Sequence, residues 1–485
     1  MNALIRIDLD RVIGHVDRRI FGGFVEHLGR CIYGGIFDEG SPLSDESGFR
    51  RDVLSALKAL RLPVLRWPGG NFVSGYHWTD AIGPVDQRPR KLELAWLSEE
   101  SNRFGTDEFI AYCRALETEP YICVNMGSGT LDEAQAWVEY CNGTGNTYWA
   151  NRRRANGHAE PYTVRYWGLG NEMYGEWQIG GMSAEEYVAH ARRFAKIMRL
   201  TDPSIELVSC GLSGSSDWDR IVIEGLADLV RYHSIHIYTG SSSYLHNVLD
   251  PHAADRALRI CEALIEQVRH KRGIQHTIAI AYDEWNVWYR TRDKAGRTGG
   301  LEERYDLSDA LAVACFLNIF IRHCRSVAMA NLAQMVNVIA PVFTSREGLF
   351  LQTIYHPLRM YAEHTQPLAL DPLVQSPTLA LESGPVADLG PFKALDVVAT
   401  RDDDRRVVTI AVINREADEP IEARLEILGL NANSTGTVYQ VSGSSPNETN
   451  SFAEPNRVSV RENQWNGTAT WRVPPHSVSV LRLQS

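Results

Sequence analysis

Two glutamates in this chain could do chemistry together. Glu172 lies at the end of Val-Arg-Tyr-Trp-Gly-Leu-Gly-Asn-Glu-Met (164–173), and Glu284 near the end of Ile-Ala-Ile-Ala-Tyr-Asp-Glu-Trp-Asn (278–286). Each closes an apolar, β-prone run, with an asparagine beside it or two residues away and an aromatic close by. A carboxylate is costly to place at buried strand ends unless something needs it there. Two of them, delivered from two strands of one sheet, are what hydrolysis of a glycosidic bond requires: a proton donor and a nucleophile or base. The bland alternative is a structural ion pair, for which Arg66 could serve. The strand-end positions and the matched neighbours favour chemistry. One carboxyl must then hold a proton near neutral pH while the other stays ionised. Their separation sets the outcome, about 5–5.5 Å for retention and about 6.5–9.5 Å for inversion.

The elements that would position them recur. Apolar runs at 20–28, 62–67, 120–126, 164–169, 205–210, 232–238, 278–282 and 327–335 alternate with amphipathic stretches at 49–60, 106–116, 131–140, 184–200, 253–270 and 308–324. Alternating units imply a parallel sheet, and eight of them imply a closed (β/α)₈ TIM barrel. An open doubly wound sheet would show a phosphate-binding glycine fingerprint, whose spacing Gly22-Gly23 and Gly34-Gly35 do not give. Polar residues follow the strands: Glu26 and His27, Asn71, Asn125, Asn171 and Glu172, His236 and Tyr238, Asp283 and Glu284, and Gln334. In a barrel these ends meet on one face, where sites are built. Beyond about residue 365, short alternating runs replace this pattern and read as an antiparallel, jelly-roll-like β-sandwich. The expected division is a barrel over 18–365 and a sandwich from 1–17 with 366–485.

The 485 residues carry a formal net charge of −11, which argues against a nucleic acid or an anionic membrane as partner. No apolar stretch is long enough to span a bilayer. The first ten residues alternate like a strand and lack the basic and apolar segments of a secretory signal. The eight cysteines are scattered and read as free thiols in a cytoplasmic protein. His233-x-x-His236 is a poor chelate, because residues three apart on a strand face opposite sides. His236 is expected in the site wall and His233 in packing. No metal or cofactor is expected. Strand alternation points Asp283 away from the barrel axis, in a structural role. Gly69-Gly70 marks a close backbone approach to the site, and Ser183 to Glu186 a helix cap.

Four motifs carry a resemblance: Phe24-Val-Glu-His-Leu-Gly-Arg30, Leu65-Arg-Trp-Pro-Gly-Gly-Asn-Phe72, Trp167-Gly-Leu-Gly-Asn-Glu-Met173 and Asp283-Glu-Trp-Asn-Val-Trp288. They resemble family 51 glycoside hydrolases, mainly intracellular α-L-arabinofuranosidases, along essentially the whole chain. The resemblance implies a retaining, exo-acting enzyme with Glu172 as acid/base and Glu284 as nucleophile. It implies that Glu26, Asn71 and Asn171 hold sugar hydroxyls, that Tyr238 touches the nucleophile and Arg66 orients it. Gln334 would line the pocket, Trp96 would cover it, and the chain would form a homo-oligomer, a hexamer. Three places depart from the family pattern: Tyr174 for Asp, Leu97 for Lys, and Ile237 with Thr239 in the stretch after His236. They flank the pocket and bear on leaving group and sugar. The rivals are β-D-galactofuranosidase, β-xylosidase or endo-glucanase activity on the same scaffold, and a non-catalytic sugar-binding protein.

Overall fold

The computed structural model describes residues 1–289, 301–430, 434–465, 467 and 469–484. Eight parallel strands close into a barrel: β1 (Gly22–Phe24), β2 (Val64–Trp67), β3 (Glu119–Val124), β4 (Tyr166–Leu169), β5 (Glu206–Ser209), β6 (Tyr232–Thr239), β7 (Ala279–Val287) and β8 (Val327–Ala333). Each of the eight apolar runs supplies one of them. They are buried on both faces, which is why they read as near-continuous apolar runs rather than alternating ones.

Inside, Val64, Tyr121, Tyr166, Val208, Tyr232, Ala281 and Met329 form one packed layer. Arg19 plugs the end where the strands begin, its guanidinium donating to the hydroxyls of Tyr166 and Tyr232. That mouth is filled, so an open site lies at the opposite end.

Apart from three two-stranded ribbons, the remaining described strands make two sheets. Leu373–Gln375, Asn2–Asp8, Ile421–Leu428 and Thr470–Val473 form one. Seven strands from Val12–His15 to Arg461–Trp465 form the other. One ladder departs from the antiparallel expectation, since Asn2–Asp8 runs parallel to Ile421–Leu428. Parallel neighbours cannot be joined by a tight turn, and here the whole barrel lies between them. Helix Leu307–Arg322 is apolar all round and buried between barrel and sheets, as such a helix must be. Four helices were not anticipated from periodicity: Tyr148–Ala155, Asp217–Leu226, Tyr244–Leu249 and Tyr355–His364.

Candidate active site

The C-terminal ends of the barrel strands converge on the two glutamates. Glu284, 5% exposed, is gripped from two sides. Arg66 Nη1 donates to its Oε1 at 2.7 Å and the Tyr238 hydroxyl to its Oε2 at 2.8 Å. Arg66 is itself fixed: Nη2 donates to Asn171 Oδ1 at 2.6 Å, and the guanidinium lies 4.5 Å from the Phe24 ring centre. Asn171 is fully buried, and its Nδ2 has no partner among the described residues.

Glu172 sits in the left-handed backbone region (φ 44°) after Gly170 (φ 75°). For a residue with a side chain this costs about 1–3 kcal/mol, and such strain clusters at functional sites. Its Oε1 faces His236 Nδ1 at 3.0 Å, and its Oε2 accepts from Trp177 Nε1 at 3.2 Å. His236 Nε2 faces Asp283 Oδ1 at 3.1 Å. With a carboxylate at each nitrogen, both must donate, and the ring is an imidazolium. Burial opposes that charge, but Glu284, Asp283 and Glu172 outweigh burial and push His236 up to about 10. Burial likewise raises Glu172, yet the bond and charge of His236, with donors from Trp177 and Tyr174, pull it below its ordinary value. The proton that an acid step needs therefore rests one hydrogen bond from Glu172.

Asp283 corrects the expectation from alternation: it points into the barrel. It accepts from the Tyr121 hydroxyl at 2.8 Å and lies 3.6 Å from Arg66 Nε. β7 carries one extra residue against both neighbours. Its pairing steps from Ala281 to Glu284 while β6 steps from Ser234 to His236, and from Tyr282 to Trp285 while β8 steps from Ala330 to Leu332. This bulge re-aims the side chains, so Asp283 and Glu284 both face inward.

Glu26 forms a second centre. It is 3% exposed and accepts from Phe72 N–H at 3.1 Å, Trp96 Nε1 at 3.0 Å and Gln334 Nε2 at 2.8 Å. Burial, then the charge of Glu284, push it up to about 7 against those three donors. A Cβ on Gly70 would stand 2.6 Å from Glu26 Oε2, so only glycine lets this turn pass. Asn71, half-buried at the head of that turn, makes no side-chain hydrogen bond among the described residues. Asn125 instead ties its own loop, donating to Tyr76 O and accepting from Gly127 and Ser128. His233 packs away from the site between Ser209 and Asp219.

Of the departures, Tyr174 lies edge-on to Trp177 with its hydroxyl toward Glu172. Leu97 is 77% exposed at the tip of a hairpin. Sequence reasoning missed Trp177, five residues after Glu172 and 62% exposed beside it; an aromatic just past a strand-end carboxylate was its one signal.

An oxygen of Glu172, an oxygen of Glu284 and a nitrogen of His236 lie within 4.8 Å of one another. This is the one donor cluster among the described residues that could hold a metal ion, but a doubly donating imidazolium has no lone pair to give. The two carboxylates are close enough for one to attack a sugar carbon while the other serves the leaving oxygen.

The chain is similar to known proteins along its whole length. Residues 56–255 match the α-L-arabinofuranosidase 1 domain, and 283–477 the α-L-arabinofuranosidase C-terminal domain. The chain is 45% identical to α-L-arabinofuranosidase C of Emericella nidulans, over 99% of this chain and 97% of that one. It is 38% identical to the intracellular exo-α-(1→5)-L-arabinofuranosidase 1 of Bacillus subtilis, over 88% and 87%. It superposes on the thermostable GH51 α-L-arabinofuranosidase of Thermotoga petrophila with a TM-score of 0.92 at 42% identity, covering 99% of this chain and all of that one.

Proposed function

This chain belongs to the family 51 α-L-arabinofuranosidases, and from that premise we propose that Glu284 and Glu172 carry its double displacement. The activity is that of a retaining glycoside hydrolase on arabinofuranosides; the galactofuranosidase, xylosidase, glucanase and non-catalytic readings are not favoured beside these relatives. Glu284 attacks the anomeric carbon and becomes an ester, losing its charge. Glu284 is the first-ranking charge that holds the proton on His236. As that charge is consumed, the proton passes from Nδ1 to Glu172 and on to the departing oxygen, which leaves as an alcohol. In the second step Glu172 takes a proton from water and passes it to His236, the water oxygen attacks the anomeric carbon, and the bond to Glu284 breaks and restores its carboxylate. Glu26, Asn71, Asn171 and Gln334 bind hydroxyls, with Trp96 closing the pocket so that one terminal furanosyl unit enters. His236 and Arg66 position and charge the two glutamates. The observation that carries this is the approach of one oxygen of Glu172 to one of Glu284 within 4.8 Å, at the mouth of the barrel.

The division into a catalytic unit at 18–365 and a sandwich unit from 1–17 and 366–485 is supported by a core between the two sheets, among them Ile5, Val397, Val412 and Trp471, that is drawn from those two end segments alone. A cytoplasmic location is supported by eight buried, unpaired cysteines and by the intracellular Bacillus relative. A hexamer is carried by family likeness alone and is read by sedimentation velocity.

The deciding experiment compares kcat/KM for aryl α-L-arabinofuranoside, β-D-galactofuranoside and β-D-xylopyranoside, in the wild type and in Tyr174→Asp. The arabinofuranoside should be preferred in both, because buried polar groups left unpaired by the wrong sugar cost up to about 10⁴–10⁵-fold. Tyr174→Asp should change preference among aglycones only. A wild type that favours the xylopyranoside would end the furanose reading of this pocket.

A further inference from the structure

Trp96 reaches Glu26 from a hairpin with no hydrophobic face of its own. Strands Lys91–Glu93 and Ser98–Glu100 pair antiparallel, while Leu92, Leu94 and Leu97 are 69%, 57% and 77% exposed. An isolated two-stranded hairpin is marginal in water, so polar anchors must hold this one. The pairs Arg90–Glu99 and Lys91–Asp80 are exposed and hold weakly. Two buried carboxylates do more. Glu93 accepts from the N–H groups of Ala95 and Trp96, each at 2.6 Å, and sets the turn. Glu100, at the root, accepts from His27 Nδ1 at 2.9 Å, the Tyr33 hydroxyl at 2.5 Å and Asn102 N–H at 2.6 Å.

The His27 tautomer follows from its other neighbour. Trp67 Nε1 lies 3.0 Å from His27 Nε2, and an indole can only donate. Nε2 therefore accepts, and the ring proton sits on Nδ1, aimed at Glu100. His27 directly follows Glu26 in the chain. The contacts thus close a circuit: from Glu26 through one peptide bond to His27, across to Glu100, along the hairpin to Trp96, and from Trp96 Nε1 back to Glu26 at 3.0 Å.

We propose that Glu100 is a positioning residue of the sugar site, locking the 91–100 hairpin to the end of β1 so that Trp96 stands over Glu26. The proposal rests on reading Glu26 and Trp96 as sugar contacts. Glu100 touches no substrate and acts on binding alone, equally in ground and transition states. Its loss should raise KM and spare kcat.

The test is Glu100→Gln, alone and in a Trp96→Phe background, on an aryl α-L-arabinofuranoside with thermal midpoints measured in parallel. Glutamine offers one acceptor oxygen to three donors and turns an NH₂ group on another. KM should rise about tenfold or more, the scale of a lost charge-assisted bond, with kcat within about twofold. In the Trp96→Phe background the same change should add less than about twofold, since the residue being positioned is gone. An unchanged KM in Glu100→Gln, or an equal loss in both backgrounds, overturns the proposal. If Glu100→Gln does not fold, Tyr33→Phe removes one of the three donors and should move KM the same way by less; no movement then overturns it. If Trp96→Phe and Glu26→Gln both leave KM unchanged, the reading of the sugar site fails first and takes this one with it.

Discussion

Replacing His236 by asparagine should make the loss of activity depend on pH. In the wild type the imidazolium stores the acid's proton up to about pH 10. Asparagine can still donate to Glu172 from near the Nδ1 position, but it carries no charge and no proton to pass on. Glu172 must then hold the proton itself. With the His236 bond and charge gone, burial is the leading influence left on it, and burial raises. At pH 6 more of Glu172 is then protonated than at pH 9, the protonated share falling about tenfold per pH unit once its own value is passed. The wild type stays charged at both. The expected loss is thus smaller at pH 6 than at pH 9, by about tenfold or more.

The assay is kcat/KM against pH for an aryl arabinofuranoside with a poor leaving group, repeated with a dinitrophenyl one. The first needs protonation of its leaving oxygen and should show the pH-dependent loss; the second does not and should be spared. Glu172→Ala serves as the control: it should also spare the activated substrate in the first step, give a burst of phenol, and then stall, because the base of the second step is missing. A uniform loss in His236→Asn at every pH, or a basic limb left near pH 10, would falsify the storage of the proton on His236.

Glu284→Ala should abolish turnover by at least about 10⁴-fold while leaving the thermal midpoint within a few degrees, and azide should restore activity with inverted product; a variant near wild-type rate removes the nucleophile assignment. Glu26→Gln should trade function for stability. The folded-state value of Glu26 is raised from 4.5 to about 7, so its ionisation costs nothing below pH 4.5, a growing amount from there to about 7, and the full amount above. Glutamine, with the Gln334 amide turned over to meet it, should therefore gain up to about 3 kcal/mol at pH 8 and nothing at pH 4, read as urea midpoints at the two pH values; a gain that is larger at low pH contradicts the shift. Dialysis against EDTA should leave kcat unchanged, and a loss restored by zinc or calcium would show that Glu172, His236 and Glu284 hold an ion after all.

What the sequence disclosed and what it withheld divide along physical lines. Eight apolar runs predicted eight strands because each barrel strand is buried on both faces, and that burial is written in local composition. The convergence of Glu26, Asn171, Glu172, His236, Tyr238, Glu284 and Gln334 followed from topology, since every parallel strand delivers its last residues to the same mouth. Asp283 was misplaced for an equally physical reason. Alternation is a rule of regular pleating, and β7 breaks it with one residue that pairs with neither neighbour. Nothing in Ala-Tyr-Asp-Glu-Trp marks that residue, because the bulge is imposed by two partner strands about 50 residues away on either side. Yet the bulge is what lets Asp283 and Glu284 share one interior: one carboxylate charges His236 from behind while the other faces the sugar. A strictly alternating strand could present only one of the two. The anchoring of Glu100 on His27 escaped for the same cause, since it is decided by a contact between segments 73 residues apart; helix Asp217–Leu226, by contrast, was legible locally in its Ser216–Asp219 capping box and apolar spacing. Local chemistry pointed to the two carboxylates proposed to react; the groups proposed to hold a proton or a hairpin in place for them became visible only through distances.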